Sequence, residues 1–160
     1  MLSEEDKNLF RQAVESNTPI DKDSENKLAD GKNRPLFEDF IYVSRASFSG
    51  AEIVKYAKSG TNKKLIKKMQ QGNIGQPPAL DLHGQTLAEA CHSMAQFLHQ
   101  QQRQKFIQII HGKGYHSDNS MSILKTQVVQ FLKKHPAVLA FNSCPDRLGG
   151  TGAVFVLLRK

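Results

Sequence analysis

Leu80-Asp81-Leu82-His83-Gly84 and, one helix's length later, His111-Gly112-Lys113-Gly114 decide the fold of this 160-residue chain. Each stretch closes an apolar strand with a histidine and then turns on glycine. Residues 79–83 and 106–111 read as the two strands, the second rich in β-branched and aromatic side chains. Between them, Thr86 and Glu89 have the spacing of a capping box. Leu87, Ala90, Cys91, Met94, Phe97 and Leu98 then follow as a helical stripe. Strand, helix, strand predicts a parallel pair joined by a crossover. Parallel strands end on the same side, so both His-Gly stretches are expected at one sheet edge, where ligands of open α/β sheets gather.

Working outward, residues 121–135 read as a second helix with Leu124, Val128, Phe131 and Leu132 inward, ended by Pro136. Two further strands follow at 138–143 and 153–159. The loop 144–152 that joins them holds three glycines and allows an antiparallel hairpin. The order is β-α-β-α-β-β. It predicts an α/β (α+β two-layer) domain with a four-stranded mixed sheet and both helices on one face. The second and last strands are apolar on both sides, so the other face also needs cover. Leu36, Phe37, Phe40, Ile41, Tyr42, Val43 and Phe48 are the expected cover.

Upstream of the strands, residues 61–70 read as a short basic helix capped by Thr61 and stopped at Gly72, before Pro77-Pro78. Its Lys63, Lys64, Lys67 and Lys68 are either a solvated face or a patch that tracks phosphates. Ser3 with Asp6, and the stripe Leu9, Phe10, Ala13 and Val14, suggest a helix over 4–15 that ends at Pro19. Residues 20–35 are polar and aperiodic, the composition of a linker. The chain thus divides into an extension (1–60), a lead-in helix and proline link (61–78) and the main domain (79–160).

Charge is unevenly spread. Residues 1–40 hold 6 Lys and Arg against 10 Asp and Glu, a net of −4, and residues 41–160 carry a net of +11. A body of that charge suits a polyanion such as nucleic acid. No run approaches the roughly 18 apolar residues of a membrane span. The acidic N-terminus is unlike a signal peptide. Cys91 and Cys144 make no disulfide framework and read as core-filling thiols. A reduced, cytoplasmic setting is expected, with no membrane partner.

Asp81 and His83 stand two apart on a strand and so share a face, while Leu80 and Leu82 turn towards the helices. An aspartate beside a histidine fixes the ring's tautomer and raises its basicity. Alternatively the two ligate a metal. The plainer reading is an edge pair satisfied by backbone groups. In His111-Gly112-Lys113-Gly114 the glycines let N–H groups turn inward as an anion nest, and Lys113 adds positive charge. His111 is placed to donate to a phosphate oxygen or to protonate a leaving group; the bland alternative is a tight turn with a solvated lysine. Arg147-Leu148-Gly149-Gly150-Thr151-Gly152 offers an arginine for a phosphate and glycines for close approach, or is simply a hairpin loop. His92 and His99, seven apart with no third ligand, read as exposed polar residues rather than a zinc site. His116 and Asp118 sit in the loop after the glycine motif.

The two His-Gly strand ends, together with the Gly-Gly-Thr-Gly-Ala-Val-Phe-Val-Leu-Leu finish, resemble the small MutS-related (Smr) domain over residues 79–160. The lead-in Leu65-Ile66-Lys67-Lys68-Met69-Gln70-Gln71-Gly72 and the polar extension resemble the stand-alone bacterial members. The resemblance implies a fold similar to the C-terminal domain of translation initiation factor 3. It also implies endonuclease activity, as DNA nicking or RNA cleavage. By motif, Asp81 and His83 match the family's Asp-x-His pair, Gly84 its following glycine, and His111, Gly112, Lys113 and Gly114 its glycine motif. Lys125 stands where the family usually places an arginine.

From these residues the expected chemistry is phosphodiester cleavage. His83, oriented by Asp81, acts as base on a water or a ribose 2′-hydroxyl. Lys113 and the 112–114 backbone stabilise the transition state. His111 binds the phosphate or protonates the leaving oxygen, and the two histidines are interchangeable at this level. RNA carries its own nucleophile and needs no cofactor; DNA calls for a metal-activated water, with Mg2+ or Mn2+ beside Asp81 and His83. The expected partners are nucleic acid and the ribosome. The rival class is a module that holds RNA, DNA or a ribosome surface without cutting it. A small phosphometabolite enzyme is disfavoured, since no second domain encloses the sheet edge.

Overall fold

The computed structural model describes residues 35–114 and 122–160. The helix read over 4–15, all but the last residue of the linker read over 20–35, and His116 and Asp118 lie outside them. Within the described residues the elements run β1 (Lys55–Ala57), α1 (Lys63–Gln71), β2 (Ala79–Asp81), α2 (Leu87–Gln100), β3 (Phe106–Ile110), α3 (Ile123–Lys134), β4 (Val138–Ser143) and β5 (Ala153–Leu158).

The strands form one mixed sheet in the order β1-β4-β5-β3-β2. β2 and β3 are the expected parallel pair, with Asp81 opposite Ile110. The other three pairings are antiparallel. β5 lies between β3 and β4, so the second helical crossover joins strands that run the same way without being neighbours. An adjacent pair is what the crossover alone predicts. All six residues of β5 are buried, and a run apolar on both faces belongs in the middle of a sheet.

A fifth strand joins the four expected. β1 is only Lys-Tyr-Ala, too short to show a period, and it pairs with the outer edge of β4. Tyr56 anchors it by stacking on Phe141 with ring centroids 5.1 Å apart.

Two cores flank the sheet. On one face α2 contributes Ala90, Cys91, Met94, Ala95 and Leu98, and α3 contributes Val128, Val129, Phe131 and Leu132. α2 opens on the expected capping box: Thr86 Oγ1 accepts from the Glu89 amide, and Glu89 accepts from the Thr86 amide. The opposite face is covered by α1 through Leu65, Ile66 and Met69, which meet Ala140, Phe155 and Leu157. This corrects the assignment of that cover to the aromatic segment. The stripe Leu65, Ile66, Met69 has helical spacing, but four lysines in the same nine residues mask it. α1 starts from Asn62, whose side chain accepts from the Lys64 amide, rather than from Thr61; it ends at Gly72 as expected.

The aromatic segment packs instead on the helical layer. Phe37 sits 5.8 Å from the Phe131 ring and 4.9 Å from His135, and Phe40 lies 5.7 Å from Phe131. Residues 41–52 are then laced to the first turns of α3. The Gln127 side chain accepts from the Val43 amide and donates to the Ile41 carbonyl, and Thr126 Oγ1 accepts from the Ser47 amide. This strap explains why Lys125, Thr126 and Gln127 are buried on a helix whose inward stripe accounts for only one side. Residues 36–160 make one unit. Both cysteines are free and buried, and burial pushes the Cys144 thiol up to about 12.

Candidate nucleic-acid site

β2 ends at Asp81, and the chain continues through buried Leu82 to exposed His83. Leu80 and Leu82 pack into the α2–α3 core, which turns Asp81 and His83 to the other side as the alternation predicts. His83 Nδ1 stands 2.7 Å from Asp81 Oδ1, and the His83 amide donates to the same oxygen at 3.0 Å. A carboxylate only accepts, so the ring carries a proton on Nδ1, and in its neutral form it presents the Nε2 lone pair. The slight burial of Asp81 works against its charge, but the His83 amide, ring and charge outweigh it and hold the carboxyl below its usual value.

The glycine motif follows β3 directly. Gly112 and Gly114 take φ of 78° and 70°, a left-handed backbone that favours glycine. A Cβ on Gly112 would lie 3.8 Å from that of His83, so the two strand ends meet as expected. Lys113 is exposed there. The Gly149-Gly150-Thr151-Gly152 loop completes the group. The Gly152 carbonyl accepts from the amides of His111 and Gly112, both at 3.0 Å, and a Cβ on Gly152 would stand 3.1 Å from Lys113 Cγ.

Four residues expected near a phosphate meet protein partners in the structure: His111, Gly112, Lys125 and Arg147. His111 is 3% exposed, its Nδ1–H donates to the Gly112 carbonyl at 2.7 Å, and Nε2 has no partner among the described residues. Burial, together with the Lys125 charge, lowers its pKa to about 4 against the pull of the Gly112 bond. With Nδ1–H committed to the Gly112 carbonyl and Nε2 buried, the ring braces the turn. The Gly112 amide likewise points at Gly152 rather than outward. Lys125, fully buried, directs its ammonium at the carbonyls of Ser49, Gly50 and Glu52, so its three donors serve the strap and not a phosphate.

Arg147 donates from Nη2 to the Gln71 carbonyl at 3.0 Å, tying the glycine loop to the end of α1. The loop is also held from beneath by Gln108 Nε2, which donates to the Leu148 carbonyl at 2.8 Å. Gln108 went unread, although a lone amide in Phe-Ile-Gln-Ile-Ile signals a fixed partner. Gly50 also went unread. A Cβ there would fall 1.7 Å from the Lys113 carbonyl oxygen, so the strap presses on the glycine motif where no side chain fits.

Among the described residues the site shows no ready-made metal cage. Asp81 Oδ1 is committed to His83, and among the described residues no three His, Cys, Asp or Glu side chains gather to hold an ion. No helix among the described residues is long and apolar enough to cross a membrane.

The Smr domain family matches residues 80–159, half of the chain, from the Asp-x-His strand to the end of β5. This chain belongs to the Smr domain family. Two curated relatives match almost end to end, and both are described as ribosome rescue factor SmrB. That of Aliivibrio salmonicida is 29% identical, over 98% of this chain and 94% of its own length. That of Salmonella arizonae is 28% identical, over 98% of this chain and 91% of its own. Among solved structures, the fold is shared with YdaL, a stand-alone small MutS-related protein from Escherichia coli. The TM-score is 0.62 at 24% identity, covering 84% of this chain and 98% of that one.

Proposed function

We propose that this Smr protein is an endonuclease that cleaves RNA, with His83 as general base. The observation that carries the proposal is the 2.7 Å bond from His83 Nδ1 to Asp81, which fixes the tautomer so that the neutral ring turns the Nε2 lone pair outward on an exposed residue, next to the turn that carries Lys113. Nε2 takes the proton of a ribose 2′-hydroxyl. The 2′-oxygen forms a bond to phosphorus, the bond from phosphorus to the 5′-oxygen breaks, and the leaving oxygen takes a proton from Lys113 or solvent. Lys113 stabilises the charge that grows on the phosphoryl oxygens. The α2 N-terminus, within four residues of His83, adds the positive end of a helix dipole. His111, Gly112, Gly114 and the 149–152 loop position Lys113, and Arg147 supports them through α1.

RNA is favoured over DNA because it brings its own nucleophile, and the histidine–carboxylate pair is suited to take that nucleophile's proton. The relatives' description as ribosome rescue factors supports RNA at a ribosome as the natural setting, with the +11 body as the electrostatic match. The test is incubation of the pure protein with labelled single-stranded RNA and with supercoiled DNA, each with and without EDTA. RNA products ending in 2′,3′-cyclic phosphate that persist in EDTA are expected. Tight binding with no cleavage of either substrate would favour a non-catalytic binding module.

A further inference from the structure

A row of positive charge lies at the sheet edge opposite His83. There β1 and β5 end and β3 and β4 begin, and backbone bonds join the strand ends side by side. The Leu158 amide donates to the Lys105 carbonyl at 2.9 Å, the Arg159 amide to the Ala137 carbonyl at 2.7 Å, and the Lys58 amide to the Leu139 carbonyl at 2.8 Å. α3 ends at the same edge, with Lys133 and Lys134 in its last turn. Lys58 Nζ reaches the His135 carbonyl at 3.1 Å, just past that turn. Arg103 leads into β3 from the end of α2. Three strand spacings of about 4.8 Å make the row from β3 to β1 roughly 14 Å wide.

Little offsets these cations. All but Lys58 are exposed, and none of them forms an ion pair with a carboxylate among the described residues. Asp81, Glu89 and Asp146 stand at the far edge, at the end of β2, in the first turn of α2 and after β4. Glu52 is turned to the Ser49 amide in the strap. Glu38 and Asp39 follow Phe37 on the helical layer, where Asp39 shares a groove with Lys134. Burial lowers the Lys58 pKa, and the Arg159 charge lowers it further, a mark of like charges held close. Such crowding is a cost of folding that a polyanion relieves.

The aromatic side chains near the row narrow the choice of polyanion. Tyr56 is stacked on Phe141, with Lys133 Nζ 5.7 Å from its ring centroid. Phe37 packs edge-on to His135, and Phe106 packs into the core beneath α1. None of these rings is an open platform. Surfaces that track single strands combine cations with aromatic rings on which the bases stack. Cations alone contact phosphates and read no base, which suits a double helix whose bases are already stacked on one another.

From this geometry we infer that the edge formed by Lys58, Arg103, Lys105, Lys133, Lys134 and Arg159 is a second nucleic-acid surface, which holds the phosphate backbone of double-helical RNA. The six residues of β4, at about 3.3 Å each, set it roughly 20 Å from the His83 edge. On the nuclease reading it anchors the protein on folded RNA and leaves the cutting edge open. The surface itself does not depend on that reading.

The test uses the full chain carrying His83→Ala, so that no strand is cut. Binding of an RNA duplex of about 16 base pairs, and of one of its strands alone, is followed by fluorescence anisotropy across a salt series. Adding Lys105→Gln, Lys133→Gln and Arg159→Gln together should weaken the duplex by at least about ten-fold and the single strand by under about three-fold. The slope of log K against log salt for the duplex should fall by up to about 3, at roughly 0.9 for each phosphate contact. The charge-keeping set Lys105→Arg, Lys133→Arg and Arg159→Lys should bind the duplex as the parent does. With His83 intact, the three glutamines should leave single-strand cleavage at the unaltered rate. A duplex affinity and slope that do not move, an equal loss for the single strand, or the same loss in the charge-keeping set overturns the surface. So does a parent that ignores the duplex but binds phosphatidylserine vesicles through these three residues. Absence of cleavage by every protein overturns the nuclease reading and leaves the duplex surface standing.

Discussion

Gly50 lies against Lys113 so closely that a Cβ at position 50 would stand 1.7 Å from the Lys113 carbonyl oxygen. The exposed cation of the candidate site is thus carried on a turn pressed from one side by the strap and from the other by Gly152. The chain upstream of the Smr domain braces the turn that carries Lys113.

Gly50→Ala is therefore expected to do more than a surface substitution. Backbone meets the new methyl, and no flexible side chain is there to yield. Overpacking of this kind costs about 1–3 kcal/mol and shifts the local chain. Chemical denaturation should show the loss, and RNA cleavage should fall at least ten-fold as Lys113 moves, with the rest of the fold intact by circular dichroism.

Lys125→Met keeps the apolar stem and removes the ammonium that serves the carbonyls of Ser49, Gly50 and Glu52. Orphaned buried acceptors cost about 1–3 kcal/mol. Limited proteolysis should then cut within residues 41–52 well before the sheet opens. Removal of the Lys125 charge also relieves one of the two influences that lower the His111 pKa.

His111 and His135 both make stability depend on pH in the acid direction. Burial lowers each from the ordinary 6.5 to about 4, helped by Lys125 in the first case and by Lys58 in the second. Between those values the unfolded chain binds the proton and the folded chain does not, so stability rises with pH. The contribution is complete above about pH 6.5 and is lost as pH falls towards 4, up to about 3 kcal/mol for each ring. Urea midpoints measured from pH 7.5 to 4.5 should fall, and His135→Gln should flatten the slope.

The α1 lysines decide between a solvated face and a phosphate track. Leu65, Ile66 and Met69 face the sheet, which leaves Lys63, Lys64, Lys67 and Lys68 in solvent on the layer towards which Asp81 and His83 turn. Replacing all four with glutamine should reduce the slope of log K against log salt for single-stranded RNA by up to about 3, at roughly 0.7 for each phosphate contact. An unchanged slope would mean the lysines only keep the helix soluble.

The main elements were legible where a period or a cap was strong. Thr86 and Glu89 announced α2, the alternation of Leu80 and Leu82 set the side of the sheet on which Asp81 and His83 stand, and the His-Gly endings predicted their convergence. What escaped depended on contacts distant in sequence. β1 has three residues and no period. The cover from α1 was hidden among lysines, and Gly50 looks like any other loop glycine until its neighbour, 63 positions away, is known. The histidines are indistinguishable in sequence because burial separates them: His83 keeps its ring on the surface, whereas His111 turns inward.

The most direct measurement is the rate of RNA cleavage by His83→Ala and Asp81→Asn proteins, with binding followed in parallel. Removal of a positioned general base is worth about 10²–10⁴ in rate. His83→Ala should fall in that range, Asp81→Asn should lose a smaller factor by releasing the tautomer, and both should bind RNA as the unaltered protein does. Cleavage by both variants at the unaltered rate would contradict the assignment of the Asp81–His83 pair.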